Sequence, residues 1–248
     1  MSEPIDRLAE VIRSANRVVA FTGAGVSTAS GIPDFRGEDG LWEEHDPGLF
    51  HLDTFRRTPG EFWERTLALY DDVFPADPSP NAAHEALATL ESAGRLDAVI
   101  TQNADGLHQE AGSSDVVELH GTIERVVCPS CSYREPFEEA RERAEEGGVP
   151  PTCPECGEPL KPDSVFFGER LPEYATLRAQ SLAEKSDAFL VVGSSLTVEP
   201  AASLPEKAIE TGAELGIVNL EKTPLDDRAT AVVHEDVTSV LPALVDAV

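Results

Sequence analysis

The feature that most constrains this chain is a strand-like run leading directly into glycines: Val18 to Gly37 reads VVAFTGAGVSTASGIPDFRG. An apolar strand followed by Gly23-Ala24-Gly25 and a helix start is how an open parallel sheet brings backbone N–H groups up to a diphosphate. Alone, the motif is ambiguous. Thr28 stands where G-x-G-x-x-G has its third glycine, so a plain tight turn explains it equally well.

The rest of the chain continues the rhythm. Short Val- and Ile-rich runs at Arg17–Phe21, Asp97–Thr101, Asp115–Leu119, Asp187–Val192, Leu215–Leu220 and Thr230–Val233 predict strands. Between them lie helical patterns such as Ala82–Ser92, closed by Gly94, and Pro200–Thr211, closed by Gly212. This alternation predicts an α/β fold: a Rossmann-like parallel sheet with helices on both faces. Two stretches break it, one rich in Pro, Asp and aromatics, the other holding every cysteine around a charged helix candidate, Glu135–Glu146. They are expected to pack together as a smaller, metal-binding domain. The expected division is 1–37, 81–122 and 160–248 for the sheet domain, 38–80 for a loop and helical insertion, and 123–159 for the cysteine-bearing insertion.

Cys128, Cys131, Cys153 and Cys156 form two C-x-x-C pairs with no cysteine left over. Without an export signal this pattern favours a metal over disulfides. Four thiolates close a tetrahedral zinc shell and leave no position for water or substrate, so the ion is expected to be structural.

Acidic residues outnumber basic ones 46 to 19, for a net charge of −27, and Lys161, Lys185, Lys207 and Lys222 are the only lysines. Such a surface repels phosphate backbones and argues against nucleic-acid binding. Because the carboxylates are spread along the chain, they read as a solvated surface of the kind found in salt-adapted cytoplasms. No apolar run approaches the roughly 20 residues of a membrane helix, and the charged N-terminus has no signal-peptide stretch; a soluble, cytoplasmic protein is expected.

Chemistry-bearing residues cluster where ligands sit in such sheets. Gly31 and Pro33 keep Asp34, Phe35 and Arg36 out of helix, directly after the glycine turn. Asn103 and Asp105, in Thr101-Gln102-Asn103-Ala104-Asp105, follow the carboxyl end of a predicted strand. The next strand ends at Glu118-Leu119-His120-Gly121, which singles out His120; His45, His51, His84, His108 and His234 read as structural.

These segments, with KPDSVFFGE (161–169), VVGSSLTVEPAA (191–202) and IVNLEKTPLDD (217–227), resemble the motifs of the sirtuin family in sirtuin order, over about Val18 to Val237. The resemblance implies an NAD-dependent protein-lysine deacetylase that moves an acyl group from lysine to ADP-ribose and releases nicotinamide. It implies one structural zinc, acetylated-lysine proteins or peptides as partners, and a monomer. His120 is then the general base, with Asn103 and Asp105 at the ribose and nicotinamide. Ala24, Thr28, Asp34, Phe35, Arg36, Gln102, Ala104, Gly193, Ser194, Ser195, Asn219, Leu220 and Val237 line the dinucleotide site, with 38–80 supplying a cofactor-binding loop. Val165, Phe166 and Phe167 form the acyl-lysine channel wall and pair with substrate backbone. Ala104, Ser164 and Glu199 depart from the usual pattern, Ala104 replacing an Ile near the nicotinamide. Trp63-x-x-Thr66 stands where members selective for succinyl or malonyl lysine carry Tyr-x-x-Arg, so short uncharged acyl groups are expected.

Three other readings are weighed. A mono-ADP-ribosyltransferase would share the NAD site, and SVFFGE with His120 speaks against it. The charge opposes a zinc-ribbon module that binds nucleic acid. A dehydrogenase is disfavoured by the missing third glycine and by the lack of an acid about 20 residues beyond the glycines.

Overall fold

A computed structural model describes residues 3–35, 40–44, 46–73 and 78–248. Nine strands are present among them: β1 Val18–Thr22, β2 Ala98–Thr101, β3 Val116–Glu118, β4 Gly121–Val127, β5 Arg134–Pro136, β6 Lys161–Ser164, β7 Ala188–Val192, β8 Glu214–Val218 and β9 Ala231–Val233. Six of them form one sheet in the order β3-β2-β1-β7-β8-β9, and every pairing in it is parallel. These are the six strands expected from the sequence, with ends shifted by a residue or two. β1 and β7 are buried at every position, as a parallel sheet covered on both faces requires. One face packs on helices Glu3–Ser14, Ala82–Ser92 and Val237–Ala247 through Leu8, Ile12, Leu87, Leu90, Leu241 and Leu244. The other packs on Glu173–Lys185 and Leu204–Glu210 through Phe189, Leu215, Ile217 and Leu204.

The helix over 82–92 shows how local chemistry sets its limits. Asn81 caps it: its side chain accepts from Ala83 N at 2.9 Å while His84 Nδ1 accepts from Asn81 N at 3.3 Å. Gly94, at φ 69°, ends it in the left-handed conformation.

The turn after β1 corrects one expectation. No α-helix starts there; two 3-10 turns, Ala24–Val26 and Thr28–Ser30, follow instead. Gly31, at φ 84°, and Pro33 end the segment before a longer helix forms.

A second, antiparallel sheet of order β5-β4-β6 has no strand-like signal in the sequence. Its strands, GTIERVV, REP and KPDS, are charged and lack alternation. β5 also takes Glu135 and Pro136 from the expected helix, which runs Phe137–Glu145. Phe55, Phe62 and Trp63 of the first irregular stretch share one core with Val126, Cys128, Phe137 and Cys153 of the second, and with Leu160 and Phe166. Among the described residues no helix is long and apolar enough to cross a membrane.

Candidate active site and metal centre

Five of the six strands of the parallel sheet lead at their carboxyl ends to candidate residues. β1 leads to Ala24 and Thr28, β2 to Gln102, Asn103 and Asp105, and β3 to His120. β7 leads to Gly193, Ser194 and Ser195, and β8 to Asn219 and Leu220. The strand order reverses direction between β1 and β7, where an open parallel sheet leaves its ligand crevice. There the two loops touch: Gly25 N donates to Gly193 O at 2.9 Å, and a Cβ on Gly193 (φ 60°) would lie 2.4 Å from Val26 N. Gly23 and Gly25 after β1 and Gly193 after β7 thus allow this contact between loops, a requirement separate from any approach to phosphate.

Asn103 and Asp105 meet at a residue that sequence reasoning left out. Ser27 Oγ donates to Asp105 Oδ2 at 2.7 Å and accepts from Asn103 Nδ2 at 3.0 Å. His84 Nδ1 already accepts from Asn81 N, so the ring proton lies on Nε2, which donates to Ser27 Oγ at 3.4 Å. All three sites on that hydroxyl are in use, which fixes both catalytic candidates. The signal available in the sequence was the small polar residue just past Gly25, in GAGVS. A second layer lies beneath. His108 Nε2 faces Thr22 Oγ1 at 2.9 Å, Thr22 bonds Thr101 Oγ1 at 2.8 Å, and Thr101 Oγ1 accepts Asn103 N at 3.0 Å. Burial lowers the pKa of His84 to about 4 against a nearby Asp105, and burial with His84 beside it lowers that of His108 to about 3.

His120 sits between β3 and β4, where the chain leaves one sheet for the other. Its Nδ1 lies 2.7 Å from Gln102 O, which only accepts, so Nδ1 carries the proton and the lone pair is on Nε2. Burial lowers its pKa, and the bond to Gln102 opposes this more weakly. Gly121 next to it is required: at φ 71° its Cβ would lie 2.0 Å from Asp163 O. Gln102 also donates from Nε2 to Ser194 Oγ at 2.8 Å, tying the β2 and β7 loops together.

The remaining candidates divide. Phe35 and Leu220 are 42% and 67% exposed, large apolar groups open to a ligand at separate loops. Asp34 and Ala104 are half-buried, and Thr28 and Ser195 are exposed. Val237 is buried in the core at the start of the last helix. Arg36 lies outside the described residues. Val165 is half-buried and Phe167 exposed, whereas Phe166 is buried with its ring centre 5.1 Å from that of Phe62. Pairing of this segment with a substrate strand meets an obstacle: Val165 N donates to His120 O, Phe167 N to Phe50 O, and Phe166 N to Glu169 Oε2. Those three donors are already committed within the chain. Trp63 lies in the smaller core. Fully buried, it donates to Leu160 O at 2.7 Å and stacks on Phe137 at 5.8 Å, so it serves the smaller core and not an acyl pocket.

The four cysteine sulfurs lie within 4.8 Å of one another. Two turns of the same design present them: Ser132 N bonds Cys128 O and Cys128 N bonds Tyr133 O, just as Gly157 N bonds Cys153 O and Cys153 N bonds Glu158 O. Zn–S bonds of about 2.3 Å place tetrahedral sulfurs about 3.8 Å apart. Sulfur pairs at 3.4 and 3.5 Å fit that shell and are far too long for disulfides.

Comparison with known proteins agrees with this geometry. The model of the Sir2 family matches residues 23–200. An NAD-dependent protein deacetylase of Haloarcula marismortui is 53% identical over 246 residues, covering 98% of this chain and 94% of that protein. A solved Sir2 complex with p53 peptide and NAD+ superposes with a TM-score of 0.89 at 39% identity, covering 99% of this chain and 98% of the other. A Sir2 complex with a deacetylated p53 peptide and 3′-O-acetyl-ADP-ribose superposes at 0.91 and 39% identity, covering 98% and 97%. On the strength of both the matched motifs and the full-length likeness, the chain belongs to the Sir2 family.

Proposed function

We propose that this protein removes acyl groups, acetyl foremost, from lysine side chains of proteins or peptides, using NAD as co-substrate. The observation that carries this reading is His120 with its Nε2 lone pair, set beside the Ser27–Asn103–Asp105 cluster at the carboxyl edge of the sheet. When bound, NAD supplies an electrophilic ribose carbon and a nicotinamide leaving group, and its ADP-ribose portion receives the acyl group. His120 Nε2 takes a proton from a ribose hydroxyl, and its lowered pKa keeps it neutral for that task. Asn103 and Asp105, held by Ser27, orient the ribose and nicotinamide, because a poor amide nucleophile reacts only when placed in line. Phe35 covers the reacting carbon and excludes water. Gln102 and the Gly193–Ser195 loop hold the middle of the dinucleotide, and Asn219 and Leu220 its adenosine end. Val165 and Phe167 flank the acyl-lysine.

Zinc held by Cys128, Cys131, Cys153 and Cys156 stabilises the smaller core, since Cys128 and Cys153 are part of it. The protein acts as a monomer in the cytoplasm, and its acidic surface keeps nucleic acid away. Short uncharged acyl groups suit aromatic Phe62 behind Phe166, while Arg65 is exposed to solvent. Acetyl-, propionyl- and succinyl-lysine versions of one peptide, incubated with and without NAD in molar salt, test the reading. Acetyl turnover strictly dependent on NAD is expected, and faster succinyl turnover would overturn the acyl assignment.

A further inference from the structure

In a chain with only four lysines, one is almost fully buried. Lys161, the first residue of β6, is 3% exposed. Its ammonium donates to Pro162 O at 2.8 Å and Ser164 O at 2.9 Å and meets Glu169 Oε2 at 3.3 Å. All three partners only accept, so three ammonium protons have three acceptors. The charge also lies 4.3 Å from the centre of the Phe166 ring. Glu169 Oε2 takes a further bond, from Phe166 N at 3.0 Å, and Glu169 N returns to Phe166 O at 2.9 Å. The pair therefore grips residues 164–169 from both ends. Inside that turn Val165 N donates to His120 O at 2.8 Å, and Phe167 is bonded through both backbone groups to Phe50 and Leu52.

We infer that Lys161 and Glu169 are positioning residues for the acyl-lysine: their buried ion pair sets the outward reach of Val165 and Phe167 and the distance of that wall from His120. This rests on the deacylase reading given above. A buried ion pair is a weak source of net stability compared with apolar residues of like volume, so the geometry it fixes is the role we assign to it. What this pair holds is a segment bonded both to the His120 backbone and to the 50–52 stretch. The dinucleotide loops after β1, β7 and β8 take part in none of the bonds above, and the segment meets the NAD side only through the backbone of His120, so the larger effect falls on the acyl substrate.

Lys161→Met, Lys161→Arg and the double variant Lys161→Met/Glu169→Gln are compared with wild type. The readings are KM for an acetyl-lysine peptide, KM for NAD, and the peptide Kd by calorimetry without NAD. Loss of the grip is expected to raise the peptide KM and Kd about tenfold in Lys161→Met, with the NAD KM within about twofold. Lys161→Arg, which keeps a charged donor, recovers most of the peptide affinity. The double variant leaves no lone charge and is expected to fold with the same peptide defect, so it carries the test where the single change unfolds the chain. Unchanged peptide binding in a folded variant overturns the inference, as does an equal rise of both KM values with no rescue by Arg. A wild type that binds the peptide without NAD-dependent turnover would overturn the deacylase reading instead, and the calorimetric comparison would still decide the role of the pair.

Discussion

His120 Nδ1–H donates a hydrogen bond to the carbonyl oxygen of Gln102 across 2.7 Å, and this single bond decides which ring nitrogen remains basic. Burial then disfavours the imidazolium. The acid limb of the kcat/KM profile is therefore expected below the ordinary histidine value of about 6.5. His120→Ala should lower turnover by about 10²- to 10⁴-fold while NAD binding persists. A pH series on wild type with titration calorimetry on the variant checks both, and full turnover in His120→Ala would refute the assigned base.

Ser27→Ala removes the hydroxyl at which Asp105, Asn103 and His84 meet. Asp105 loses its 2.7 Å bond, and the amide of Asn103 and Nε2 of His84 lose their acceptor. An unmatched buried group costs about 1–3 kcal/mol. The variant should fold, melt lower, and lose roughly tenfold or more in kcat/KM, measurable by steady-state assay beside thermal melting. Activity equal to wild type would show that Asn103 and Asp105 keep their places without it.

How far the sequence anticipates the structure depends on the range of the signal. Strands such as Ala188–Val192 are legible because a doubly covered parallel strand needs an unbroken apolar run. The cysteine pairs are legible because their spacing is local. The small sheet is not: Arg134–Pro136 and Lys161–Ser164 are only three and four residues long and charged, and the second pairs with a strand far back along the chain. Ser27 and Lys161 were missed for the same reason. A serine after glycines or a lysine before a proline looks ordinary until contacts from residues 84, 103, 105 and 169 show its use. Trp63 is a further case: its bond to Leu160 O and its stacking on Phe137 depend on residues about 75 to 100 positions along the chain, which no local pattern reveals.

Metal removal should act through folding. Cys153→Ala leaves three thiolates and also opens the small core that Cys153 shares with Phe137 and Leu160. Zinc content is expected to fall below one ion per chain, and activity with it. A stable Cys153→Ala protein with full activity and no zinc would contradict a structural ion.

Acid should weaken the fold before most carboxylates titrate. His84 and His108 are neutral in the folded state, with pKa values lowered to about 4 and about 3, whereas the unfolded chain takes protons near 6.5. Between these values the unfolded state binds more protons, so stability is fully present above pH 6.5 and is lost as pH falls toward 3. Denaturant midpoints at pH 7.5 and 5.0, in constant molar salt, should drop by the equivalent of a few kcal/mol, about 1.4 kcal/mol per unit of pKa difference. Equal midpoints would mean that the two rings are already charged when folded.

The most direct test of the account is a product balance. The purified protein is incubated with NAD and an acetyl-lysine peptide, and all small molecules and peptides are weighed by mass spectrometry. Geometry centred on His120, Asn103 and Asp105 predicts nicotinamide, deacetylated peptide and O-acetyl-ADP-ribose in equal amounts. ADP-ribose attached to protein or peptide, with the acetyl-lysine intact, would contradict it.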